Sequence, residues 1–293
     1  MPPLSLERLD GGGLVLRSRL WATNSVLIAA GADCLVCDPS IFPDEIDQIR
    51  LAASRYRHVY LPITHTDFDH VCGIPAFAGA TVIAGAATAA AIGAGTARRK
   101  LDESARDWGT RWDGELRVDV VAGGEPITCS AVSLVAVECS GHIEDGSAFA
   151  VPERRLLLAG DYLSAVCHPI VLGSLDGTVA AIERLLQTIE DDRIETVIPG
   201  HGPVLDGRRA ARIGREDVEY LRLLQAAAGE AVQQGVSANA ALLMVRAVAP
   251  SRSARPDFEA FDWLSANVRQ ALAEAGHPAY GGSAAGRNPS LTP

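Results

Sequence analysis

The chain has 293 residues, 48% of them apolar, and a formal net charge of −10. That length suits one large domain of roughly 200 residues plus a smaller appendage, and the apolar share excludes wholesale disorder. So acidic a chain argues against nucleic acid and against an anionic membrane as partners, and an anionic ligand would need a local basic patch or a metal.

No basic stretch followed by an apolar run opens the sequence, and no window approaches the ~20 consecutive apolar residues that span a bilayer. The expected setting is a reducing cytoplasm with free thiols. Residues 13–38 read as strands, LVLRSRLWA, SVLIAAG and CLVCDPS, broken by turn residues. Cys34 and Cys37 invite a zinc or redox reading, but residues three apart on a strand face opposite sides and no second pair completes a zinc set. They read better as small packed hydrophobes. Pro43-Asp44-Glu45 starts a helix that runs to about Tyr56, HVYLPIT (58–64) is a buried strand, GIPAF a short helical turn and ATVIAG another strand. The alternation predicts an α/β layered fold.

Residues 86–115 change character, from small and flexible to charged with two tryptophans, and read as a helical insertion lying over something rather than as core. Strands return over 116–160. SLDGTVAAIERLLQTIEDD carries Val179, Ile182, Leu185, Leu186 and Ile189 at helical spacing, with Asp176 as its cap, and RIETVIPGHG is a strand ending in a Gly-rich turn. Beyond residue 208 the pattern is helical only. Gly235 stops a first helix, Ser237 caps a second through about Val248, and Pro256 to Glu274 make a third with Gly276 past its end. The expected organisation is a main domain over 1–208, a helical extension over 209–278 and a disordered Gly/Ser/Pro-rich tail over 279–293.

The chemistry lies where the histidines and certain aspartates fall. His65 and His70 in ITHTDFDHVCG, His142 in ECSGHIEDGS, Asp161 in LLLAGDYLS and His201 in VIPGHGPV each follow an apolar strand. Strand ends are where an open sheet presents side chains to a cleft. His65 and Asp67, two apart, face the same side and suit one metal, while Asp69 and His70, past the strand, reach a second. Two ions about 3.5–4 Å apart are what a dinuclear hydrolytic site needs.

THTDFDHVCGIPAF, CSGHIEDGSAFAV, LLLAGD and IPGHGPV resemble the corresponding segments of the metallo-β-lactamase superfamily, over about residues 14–205. The resemblance implies an αββα sandwich of two mixed sheets with outer helices and the metals at one edge, the tail resembling the C-terminal helical extension of many members. It implies a first metal on His65, Asp67 and His142, a second on Asp69, His70 and His201, and Asp161 bridging. It implies hydrolysis of a small-molecule ester, thioester or lactone by a metal-bridging hydroxide, with Asp69 doubling as a proton shuttle. Zinc is the expected metal.

One position departs from the family motif. Asp67 stands where the second His is usual. With two divalent ions and a hydroxide, the three carboxylates leave the first shell neutral, where an imidazole would leave it positive. Asp67 also hardens the site toward iron or manganese and brings in a di-iron, oxygen-using enzyme as the rival reading. Two roles stay open for it, as a direct ligand or as a hydrogen-bond partner of a ligand His. A catalytically impaired homologue is the further alternative. Arg98, Arg99, Lys100, Arg106, Trp108, Arg111 and Trp112 crowd the insertion, as a solvated helix face or as a lid in which Arg98, Trp108 and Trp112 meet substrate. His168, soon after Asp161, is a candidate substrate contact on the cleft wall. His58 and His277 are expected to be inert. Apolar residues of the tail helices serve either a homodimer face or packing on the main domain.

Overall fold

The structure, a computed structural model, describes residues 5–108, 113–250, 252 and 262–280, leaving aside the side chain of Asp107. Strands β1 (Ser5–Leu9), β2 (Gly13–Arg17), β3 (Asn24–Ala30), β4 (Asp33–Cys37), β5 (Val59–Ile63), β6 (Thr81–Gly85) and β7 (Val120–Ala122) lie in chain order in one sheet. Pairing is antiparallel from β1 to β4 and parallel from β4 to β7. Parallel neighbours need crossovers. Helix α1 (Pro43–Ala53) supplies the first, α2 (Phe68–Val71) with a 3₁₀ turn at Ile74–Ala76 the second, and α3 (Ala86–Gly93) with α4 (Thr96–Trp108) the third. The segment expected to lie outside the core therefore belongs to it in part, since Ile92, Ala97 and Leu101 are buried against the sheet's outer face.

The second sheet has the order β13-β12-β11-β10-β9-β8, from β8 (Ile127–Cys129), β9 (Val132–Glu138), β10 (Ser147–Val151), β11 (Leu156–Gly160), β12 (Thr196–Pro199) and β13 (Leu205–Asp206). Only β11 and β12 pair in parallel there, joined by α5 (Leu175–Asp191). Ser174 Oγ caps α5 by accepting from Gly177 N at 3.2 Å, and Asp176, the expected cap, instead accepts from Gln225. Helices α6 (Gly207–Gln233), α7 (Ala238–Arg246) and α8 (Trp263–Glu274) stack with α5 on this sheet's outer face. Ser237 caps α7 as expected, and Gly235 follows α6 with φ +60°. The early part of the third predicted tail helix lies outside the described residues, as do residues 281–293. Among the described residues no helix is long and apolar enough to cross a membrane.

Alternation along the strands builds both sides of each sheet. Val15, Val26, Leu35, Leu134, Phe149, Leu158 and Ile198 fill the space between the sheets, while Leu16, Leu27, Val36 and Ile63 meet the helices outside the first sheet, and Ala148, Ala150, Leu157 and Val197 those outside the second. The result is an αββα sandwich with a C-terminal helical region.

The same alternation settles the CLVC pair. Cys34 lies in the helix-side core and Cys37 between the sheets, both free and buried, with burial raising the Cys34 thiol to about 12. Cys34→Ala and Cys37→Ala should each leave the metal content of the purified protein unchanged by elemental analysis, while lowering the denaturant midpoint in proportion to the small cavity each creates.

Candidate metal centre

Parallel strands end at one edge, and that edge collects the polar residues. Asp38 follows β4, His65 and Asp67 follow β5, His142 follows β9, Asp161 follows β11 and His201 follows β12. Asp67 sits at the N-terminus of α2 and Asp69 and His70 lie within it, so one short helix turns three candidates inward.

Each imidazole is held from behind. His70 Nδ1 lies 2.8 Å from Asp38 Oδ2, and His142 Nδ1 lies 2.7 Å from the Ile170 carbonyl. His201 Nδ1 lies 3.1 Å from the Trp21 carbonyl, and His65 Nδ1 lies 3.0 Å from Thr64 Oγ1, whose own proton goes to Asp38 Oδ2 at 2.7 Å. These acceptors assign the proton to Nδ1 in the neutral ring, leaving the Nε2 lone pair for the centre. Asp38 adopts φ +49°, a left-handed conformation that a non-glycine residue holds only under constraint from its surroundings.

The Nε2 atoms and carboxylates converge as two groups. In the first, Asp67 Oδ2 lies 3.6 Å from His65 Nε2 and 3.3 Å from His142 Nε2. In the second, Asp69 Oδ2 lies 3.4 Å from His70 Nε2 and 3.6 Å from His201 Nε2. Asp161 joins them. Its Oδ2 is 3.8, 3.3 and 3.1 Å from His65, His142 and His201, and its Oδ1 is 3.2 Å from His70. Neighbouring ligand atoms around a tetrahedral ion with bonds of 2.0–2.1 Å stand about 3.3 Å apart. His65 Nε2, His70 Nε2 and Asp161 Oδ1 are fully buried yet make no hydrogen bond, despite this crowding. Orphaned polar atoms are costly, and here they point at shared centres, so the donor set fits two divalent cations. His65, His142 and Asp161 form one potential ligand group, and Asp69, His70 and His201 another.

Electrostatics agree with that geometry. Burial opposes charge on Asp67 and Asp161, but Lys100 offsets it for Asp67 and the His201 and His70 imidazoles for Asp161, holding both well below the usual carboxylate range. Burial likewise opposes a charged His142, yet Asp67 and Asp161 push it up to about 9. Burial opposes charge on His70 and His201 as well, but Asp69 and then Asp161 raise His70, and Asp161 and then Asp69 raise His201.

The centre opens into a cleft of about 630 Å³, including its mouth. Trp21, Phe68, Ile170, Leu172 and Trp263 make it apolar, and α4 contributes Lys100, Glu103 and Ser104. The inward face of α4 therefore carries different residues from those expected of a lid. Arg98 does not line the cleft but turns to the Gly114 carbonyl and Asp102. Trp108 stands edge-on behind Trp21, with ring centroids 6.0 Å apart, and Trp112 lies outside the described residues. His168 does not line the cleft either. It is buried edge-on to Tyr220 of α6, and burial and then Arg252 lower its pKa to about 4. Asp38, Thr23, Thr64 and Asp145 escape sequence reasoning. Only Asp38, an acid at a strand end like the ligands themselves, carried a signal.

A model of the metallo-beta-lactamase superfamily matches residues 18–201. Among solved structures, the stereoselective inverting sec-alkylsulfatase Pisa1 from Pseudomonas sp. superposes with a TM-score of 0.69 at 13% identity, over 94% of this chain and 51% of its own. The chain thus spans about half the length of that relative. A metallo-beta-lactamase from Pontibacter korlensis gives 0.56 at 15% identity, over 73% of this chain and 99% of its own. A motif mutant of the metallo-beta-lactamase from Cronobacter sakazakii gives 0.56 at 19%, over 77% and 98%.

Two outcomes follow from the crowding. A Cβ on Gly200 would stand 2.2 Å from Asp161 Oδ1 and 3.0 Å from His70 Cε1. Gly200→Ala should therefore displace the shared carboxylate and weaken metal binding at least ~10-fold by competition titration, the scale of a disturbed ligand shell. The second concerns pH. His142 moves from an ordinary value of 6.5 to about 9, so its contribution to the stability of chelated protein is complete below pH 6.5 and lost as pH rises through 9. The melting temperature of chelated protein should fall over that window. The gain in melting temperature on adding metal should grow, because binding needs the neutral ring.

Proposed function

The chain belongs to the metallo-β-lactamase superfamily, and on that premise we propose that it is a metal-dependent hydrolase that cleaves a small uncharged ester, thioester or lactone at a dinuclear centre. His65, Asp67 and His142 would hold one divalent cation, Asp69, His70 and His201 the other, and Asp161 would lie between them. The observation that carries this is the convergence of four Nε2 atoms and three carboxylates, with His65 Nε2, His70 Nε2 and Asp161 Oδ1 buried and unbonded. Bound there, the cations supply Lewis acidity toward the substrate oxygen and an activated water.

The chain's own residues do the rest. Trp21, Phe68, Ile170, Leu172 and Trp263 would bind the apolar part of the substrate and exclude bulk water, which strengthens the electrostatics inside. Glu103 disfavours an anionic substrate, and the lysine of the cleft wall is already paired with Asp67. Asp69 would move the proton. It lines the cleft, Thr23 donates to its Oδ2 at 3.2 Å, and no hydrogen bond among the described residues occupies its Oδ1, where a proton would be held. No serine or cysteine nucleophile is required.

Asp67 supports a second reading, with iron or manganese in place of zinc, because a carboxylate oxygen stands 3.6 and 3.3 Å from the two first-group imidazoles. Elemental analysis and the visible spectrum separate the two, since a di-zinc site is colourless. The decisive assay is a panel of aryl and alkyl esters, thioesters, lactones and, for likeness to the alkylsulfatase, alkyl sulfates. Turnover of a neutral acyl substrate, abolished by chelation, restored by metal and cut ~10²-fold or more by Asp69→Asn, is the expected result. Turnover that ignores chelation, or cleavage of the sulfates alone, would overturn the proposal.

A further inference from the structure

Lys100 is the residue of the cleft that the dinuclear reading leaves unexplained. A lysine beside two divalent cations is repelled by both, so its placement calls for a reason. Lys100 Nζ lies 2.6 Å from Asp67 Oδ1 and 3.3 Å from Thr66 Oγ1. Thr66 Oγ1 gives its own proton to Asp145 Oδ1 at 2.8 Å and can therefore only accept from the ammonium. Thr66 N also donates to Asp145 Oδ2, at 3.1 Å, and Asp145 is buried, so the threonine is fixed. From the other side, Ala97 and Leu101 anchor α4 in the core at full burial. The ammonium is thus pinned at both ends of its reach, and only a quarter of its side chain is exposed.

The consequence for Asp67 is a division of labour between its oxygens. Oδ1 is taken by Lys100, while Oδ2 is the oxygen that stands 3.6 Å from His65 Nε2 and 3.3 Å from His142 Nε2. A carboxylate free at both oxygens could bind a cation through either or both. With Oδ1 held, it offers one donor atom, as an imidazole does. The charge balance changes too. Asp67 brings a negative charge that a histidine would not, and Lys100 brings one positive charge within direct contact of it.

We propose that Lys100 is the second half of the departure at position 67, a positioning cation that makes Asp67 a one-oxygen ligand and cancels its charge, so that the pair serves the first metal as a single neutral imidazole would. This rests on Asp67 being a ligand of that metal. It follows that the two residues are interdependent. A histidine at 67 would leave Lys100 facing a dication with no carboxylate between them.

The test is a double-mutant cycle read by zinc affinity. Zinc is titrated against a chromophoric chelator in the wild type, Asp67→His, Lys100→Met and the double variant, with stoichiometry from elemental analysis and folding checked by circular dichroism. Asp67→His should weaken the first zinc at least ~10-fold while Lys100 is present, and the double variant should return to within about threefold of the wild type. The zinc held by Asp69, His70 and His201 should change little throughout. Asp67→Asn, close to isosteric, repeats the cycle should the histidine variant misfold, and the combination of Asp67→His with Lys100→Arg should stay weak, because the charge remains. An equal loss from the position-67 change in both the Lys and Met backgrounds would overturn the role of Lys100 while leaving Asp67 a ligand. No loss with Asp67→His in either background would likewise overturn the role of Lys100, because the imidazole can itself bind zinc, whereas no loss with Asp67→Asn would overturn the ligand assignment itself.

Discussion

Four imidazoles at this sheet edge have their Nδ1 atoms engaged by acceptors belonging to the scaffold, and everything else about the centre depends on that. Asp38, the Ile170 and Trp21 carbonyls and Thr64 each take one. A ring held at Nδ1 can turn only its Nε2 inward, so tautomer and direction are decided before any ligand arrives. The acceptors come from four separate places in the chain, so the arrangement is a property of the packed edge and of no single loop. Asp38 serves two rings at once, directly to His70 and through Thr64 to His65, and it does so from a strained backbone position.

Such a cluster is unstable as a set of isolated charges. Three carboxylates and four imidazoles share a buried volume, in which the carboxylates favour a proton on His70, His142 and His201 when no cation is bound. Raised histidines and depressed aspartates are two sides of one exchange. A metal that displaces those protons meets donors already spaced for it, and little reorganisation remains to be done. That preorganisation is the usual reason active sites are less stable than the cores that carry them.

The C-terminal helices reach this centre through a loop. Asn267 of α8 is fully buried, accepts from Val171 N at 2.9 Å and donates to the Pro169 carbonyl at 2.7 Å. Gln270 and Glu274 hold Gly173 and Leu175 just beyond, at 2.8 Å each. The loop so pinned carries the Ile170 carbonyl that orients His142, while Trp263 of the same helix closes the cleft. The helical region is thus part of the site's support, and its apolar faces are spent largely on α5, α6 and the second sheet.

Much of this was legible from residues alone. Alternation along CLVC and LLLAG, helical spacing in 175–191 and ligand types placed just after apolar strands determine the layers, the edge and the candidate ligands, because burial periodicity and strand-end geometry are local properties. The departure at Asp67 was visible as well, but its partner was not. Lys100 looked like one cation among several in a charged segment, and Arg98 and Trp108 looked equally suited to the cleft. Which face of α4 turns inward is decided by Ala97 and Leu101 packing on a sheet whose strands are distant in sequence. His168 likewise went to the C-terminal helices instead of the cleft, because Tyr220 and its neighbours bury it. Residue types and their spacing can nominate ligands. Only the folded chain can say which side chain stands 2.6 Å from which, since that distance is set by contacts between segments that share no local pattern.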